Sequence, residues 1–141
     1  MGSKSALLVV NTGFTIFTAF IMTIKTHYIK DLKIAELTSD HLIIKTAEDG
    51  VDLLGNLYYQ GFDKMIIHAK NITPEFFDLK TGMAGEILQK FSTYRVRLAI
   101  VGDFTPYLSK SFKDFIYESN RVGHTIFVST VSEALIRFSG L

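Results

Sequence analysis

The chain has no cysteine, no tryptophan and only two prolines in 141 residues. Without cysteine there are no disulfides, no thiol nucleophile and no thiolate-held zinc or iron–sulfur cluster. An excess of charge of either sign is also missing: fifteen Lys and Arg stand against fourteen Asp and Glu, a formal net charge of +1. A protein that works by neutralising nucleic-acid phosphates carries a clear basic excess, so no nucleic-acid partner is expected. Long low-complexity tracts, internal repeats and linkers are absent as well. What is present is ordinary for one globular domain: 48% apolar, 13% aromatic and 21% charged residues.

Residues 5–24 are uncharged, bounded by Lys4 and Lys25. This is the lower limit for a membrane span, but Asn11, Gly13 and several threonines interrupt it, and a membrane location is not expected. No signal-peptide cleavage pattern is evident, and a cytoplasmic setting is expected. The reading is an apolar extension over residues 1–21 followed by a single domain over 22–141. The extension packs on the domain or on a second copy, which would make a homodimer, or else Met22 is the natural start.

After Met22 the punctuation is regular. Residues 23–28 and 33–37 alternate as two short strands with Asp31 near the turn, and residues 41–45 form a further extended run. Thr46 caps a helix whose apolar positions Val51, Leu54, Leu57 and Tyr58 recur at three and four, and Gly61 ends it. Residues 65–68, 97–101 and 125–129 are short, apolar and β-branched, as buried parallel strands are. Helices between them carry Met83, Ile87, Leu88 and Phe91, then Phe112, Phe115 and Ile116, and last Ala134, Leu135 and Phe138. Strands alternating with helices predict an α/β fold: a mixed, mostly parallel sheet with helices packed on it. Ile66, Ile67, Leu98, Ile100, Val101, Ile126 and Val128 are the expected core.

The segment Asp78-Leu79-Lys80-Thr81-Gly82-Met83-Ala84-Gly85 is the outstanding candidate site. It joins a buried strand to a helix, and open α/β sheets bind ligands at the carboxyl ends of their strands. Gly82 and Gly85 would let a backbone or an anion approach, and Thr81 would present a hydroxyl beside Lys80. The competing reading is plain structure: Thr81 caps the helix and Gly85 permits close packing. No Walker A loop and no Gly-x-Ser-x-Gly elbow occur. Asp78 and Asp103 follow neighbouring strands and could hold an anion or metal ligand set between them, but no third ligand is evident, so no metal or other cofactor is expected. The histidines, His27, His41, His68 and His124, include no i, i+4 pair. His68 ends an apolar strand and reads as a hydrogen-bonded interior histidine.

The blocks FFDLKTGMAGEILQKF, YRVRLAIVGDF, DFIYESN and IFVSTVSEAL resemble the bacterial family of domain of unknown function 4180. That resemblance implies no reaction. The order and spacing from Met65 onward are also similar to the STAS domain of anti-sigma-factor antagonists, where a buried strand leads through an Asp-Ser-Ser-Gly turn into a helix. This resemblance implies a STAS-like sheet and puts Thr81, just before Gly82, where that family carries a phosphorylatable serine. The turn here is one residue longer, with Leu79 and Lys80 in place of the first serine. The function expected is a non-catalytic regulatory module that binds a protein partner, a regulator or kinase, through residues 78–84. The alternatives are a small enzyme or anion- or metal-binding protein using Asp78, Thr81 and Asp103, and an oligomeric structural protein joined through residues 5–24.

Overall fold

The computed structural model describes residues 3–11 and 19–140, with side chains from Met22 onward. Six strands, β1 (Ser3–Asn11), β2 (Ala19–Ile29), β3 (Leu32–Thr38), β4 (Lys64–His68), β5 (Arg97–Val101) and β6 (Thr125–Val128), form one sheet in sequence order among the described residues. β1, β2 and β3 run as an antiparallel meander, and β3 through β6 are parallel. The helices are α1 (Ala47–Tyr59), α2 (Met83–Thr93), α3 (Lys110–Val122) and α4 (Val131–Ser139). This is the mixed, mostly parallel α/β sheet that the alternating pattern predicts.

The local signals act where their chemistry requires. Thr46 accepts from the Asp49 amide while the Asp49 carboxylate accepts from the Thr46 amide, a capping box that starts α1. Ser109 and Thr130 cap α3 and α4 in the same manner through the amides three residues on. Gly123 and Gly140 end those helices in the left-handed region. Thr73-Pro74-Glu75 reads as a helix start, with Thr as cap and Pro at the first helical position, but Pro74–Phe77 makes only a 3-10 turn, in which Phe76 and Phe77 are buried. Residues 41–45 add no strand to the sheet. They contribute a single parallel bridge, Ile44 to Ile72, and Asn71 ties them down by donating to the carbonyls of Ser39 and His41.

Strand alternation sorts the core into two faces. Ala35, Leu37, Met65, Ile67, Leu98, Ile100 and Phe127 point to the side covered by α1, α2 and α3, meeting Leu54, Leu57, Ile87, Phe91 and Phe112. Ile34, Ile66, Ala99, Val101, Ile126 and Val128 point to the other side, where α4 supplies Ala134 and Phe138. All seven expected core residues are buried. Each large apolar side chain so buried contributes about 1.5–3 kcal/mol. At the far edge, Asn120 of α3 donates to the Phe127 carbonyl and accepts from its amide, so a side chain takes the place of a seventh strand.

Met22, expected to open the domain, lies inside β2, and the sheet continues through β1 on the amino-terminal side of it. The side chains of residues 1–21, including those of the apolar extension, lie outside the described residues. No helix among the described residues is long and apolar enough to cross a membrane.

Candidate functional site

The carboxyl ends of β4, β5 and β6 open on one edge of the sheet, and cavities lie along it among the described residues. The first, about 710 Å³, runs between the turn at residues 78–80 and the loop at 105–111, with Phe77, Leu79, Tyr107 and Leu108 among its walls. The second, about 470 Å³, is lined by His68, Lys70, Gly102, Asp103, Tyr107 and Ser129. A third of similar size opens between Asp103, Leu108, Ile116 and Ser129.

The sequence-predicted turn is built by its own polar atoms. Asp78 accepts from the Lys80 amide and starts a 3-10 turn over Leu79–Thr81. Gly82 follows at φ 77°, a left-handed conformation that glycine adopts without strain. The exposed Thr81 hydroxyl has one proton, shared between the carbonyls of Glu75 and Asp78, each 2.9 Å away, and it accepts from the Met83 amide at the head of α2. It therefore serves as a cap and remains reachable from solvent. Lys80 is at the rim of the first cavity. Gly85 has nothing within 4 Å of the position a Cβ would take, so its lack of a side chain answers to no packing contact.

Asp78 and Asp103 do not meet in a common cavity: Asp78 lines the first and Asp103 the second and third. Asp103 spends its Oδ1 on the amide and hydroxyl of Thr105, and these hydrogen bonds hold its carboxyl below the ordinary value. Among the described residues no group of three His, Asp or Glu could hold a metal ion.

A constellation absent from the sequence reading lies beside the second cavity. Glu36 of β3 is 8% exposed and its two oxygens are taken by two imidazoles: His27 of β2, itself 7% exposed, at 2.8 Å and His68 at the end of β4 at 2.9 Å. All three lie on the α4 face, the parity of Ile34 and Ile66. Burial pushes the Glu36 carboxyl up, but the two hydrogen bonds and the charge the rings can carry outweigh it and hold it below its ordinary 4.5. Glu36 is thus the ionised centre, and each ring meets it through Nε2. The signal for it was a carboxylate inside the apolar run Ile34-Ala35-Glu36-Leu37, where alternation leaves it no solvent face. His68 makes the hydrogen bond expected of it, but at a cavity wall and partly exposed, not in the interior.

The family model described as Domain of unknown function (DUF4180) matches residues 29–138. No curated protein and no solved structure matches the chain.

Proposed function

The chain belongs to the family described as Domain of unknown function (DUF4180), whose description names no activity, and from the geometry we propose that it is a regulatory protein-interaction module. The observation that carries this reading is the exposed Thr81 hydroxyl at the head of α2, beside an open groove with apolar walls and a polar rim. Leu79, Tyr107 and Leu108 offer an extended segment of a partner its hydrophobic contacts, and Lys80, Ser109 and Ser111 offer hydrogen bonds at the edge. The likeness to STAS domains and a bacterial cytoplasmic setting belong to the same reading.

Phosphorylation of Thr81 would act as the switch. A kinase would transfer a phosphoryl group from a nucleoside triphosphate to Oγ1, and the hydroxyl proton would leave to the kinase's base. The turn then loses the donor that Glu75 and Asp78 share, and gains negative charge next to the Asp78 carboxylate. The free amides at the head of α2 tolerate that charge, so the helix persists while the turn and the groove edge change. Affinity capture from the source cells, with mass spectrometry of bound proteins and of Thr81, tests the reading. Wild type and Thr81→Ala are expected to retain a common partner that Thr81→Glu loses. Equal retention by Thr81→Glu would refute the switch.

A second reading, self-association, draws on one observation. β1 ends the sheet, and an edge strand offers unpaired backbone groups to another copy of the chain. The alternative that gathers Asp78, Thr81 and Asp103 round one ligand draws no support from a geometry in which the two carboxylates serve separate cavities.

A further inference from the structure

We propose that the second cavity, at the carboxyl ends of β4, β5 and β6, binds a small oxyanion such as a carboxylate or phosphate ester group, with His68 as its proton-dependent donor and Lys70 as its permanent cation. The argument starts from the cost of what lies behind it. Two imidazoles and a carboxylate at the inner end of a β-sheet are expensive to desolvate, and apolar side chains of similar volume would fill the space at least as stably. A merely structural role does not call for three ionisable groups there.

The arrangement fixes His68. Its Nε2–H is given to Glu36 Oε2, and Glu36 Oε1 takes the Nε2–H of His27. His68 can therefore gain or lose a proton only at Nδ1, and Nδ1 makes no hydrogen bond among the described residues. The ring lines the cavity with a fifth of its side chain exposed. Protonation there turns an acceptor into a charged donor whose positive charge Glu36 already balances.

The other walls complete a site for negative charge. Lys70, two residues on in the same turn, lines the cavity and makes no ion pair among the described residues. Asp103 also lines the cavity as a carboxylate, its Oδ1 bonded to the amide and hydroxyl of Thr105, and Glu133 of α4 accepts from the Ser129 amide at 3.1 Å, so both His68 and Lys70 are needed to make the wall cationic. Tyr107 adds a hydroxyl. Lys25 stands across from Glu36 in the β2–β3 register. Gly102 makes the space: a Cβ there would stand 2.7 Å from that of Ala69, so the two turns close tightly and leave the cavity above them. The wall residues Pro106 and Tyr107 are shared with the groove at residues 78–80, so an anion bound here would lie against the proposed partner surface.

Sulfate is a suitable probe because its charge does not change between about pH 5.5 and pH 8, the range in which histidine switches. Titration of the full chain, followed by amide NMR, is expected to give saturable shifts at Lys70, Gly102, Asp103 and Ser129. Binding should be about tenfold tighter at the lower pH, and His68→Gln should remove that pH dependence. Lys70→Ala, a change on an exposed turn that folding tolerates, should weaken binding about tenfold at both pH values. Binding that ignores both substitutions, shifts confined to other surfaces, or no saturation at either pH would overturn the proposal.

Discussion

His27 and Glu36 are joined at 2.8 Å across the β2–β3 pair although they are not register partners: His27 faces Ile34 and Glu36 faces Lys25. The bond is diagonal, along one face of the sheet, and it aligns Glu36 so that its second oxygen reaches His68 on the next strand. Three strands that meet by backbone pairing are thus also tied by side chains.

Breaking that tie is expensive. Glu36→Ala leaves the imidazole N–H groups of buried His27 and half-buried His68 without an acceptor and is expected to cost about 3 kcal/mol. Glu36→Gln keeps the volume and one acceptor oxygen and should cost less. Urea unfolding followed by circular dichroism reads both, and an alanine variant within experimental error of wild type would show the cluster to be energetically idle.

The same carboxylate predicts an acid limb of stability. Its folded pKa lies below the ordinary 4.5, so the unfolded chain binds its proton first as pH falls. Its contribution is full above the ordinary value and drains away as pH drops through the folded value. The stability difference between wild type and Glu36→Gln should therefore shrink as pH falls below the ordinary 4.5. A difference that keeps growing below that value would contradict this assignment.

Gly102 and Ala69 should be coupled. Gly102→Ala puts two methyl groups 2.7 Å apart and is expected to cost about 1–3 kcal/mol by overpacking. Ala69→Gly in the same chain should return much of that loss. A double-mutant cycle by thermal unfolding measures it, and additive effects would mean that the two turns separate freely.

Thr81 has a structural share that is separable from any switch. Thr81→Ala removes the acceptor of the Met83 amide and the donor to Glu75 and Asp78, a loss of about 1 kcal/mol. Thr81→Ser keeps these bonds and should unfold like wild type. If serine also loses stability to the same degree, the methyl group and not the hydroxyl matters here.

A chain beginning at Met22 would lack β1 and the first three residues of β2, exposing the β2 edge. It is expected to associate or to lose solubility relative to the full chain. Sedimentation analysis of the two decides, and an unchanged mass with an unchanged melting temperature would show that β1 is dispensable.

Much of the fold is local chemistry. The Thr46 cap, the apolar period of α1 and the β-branched runs of β4 to β6 are each set by residues within a few positions of one another, and they read correctly from the chain. The turn at Thr81 belongs to this class too, because all its partners lie between Glu75 and Met83. Propensity also misleads locally: Thr73-Pro74-Glu75 starts a turn and not a helix, since burying Phe76 and Phe77 outweighs helix continuation. The sequence by itself determined most helices, the parallel strands and the buried residues on them, because hydrophobic period and hydrogen-bonding needs act along the chain. Only the tertiary structure decided that Asp78 and Asp103 serve different cavities, and that Glu36 meets His27 and His68, the latter 32 residues away. Those contacts depend on strand order and register, and a buried carboxylate takes whichever donors the neighbouring strands bring within reach.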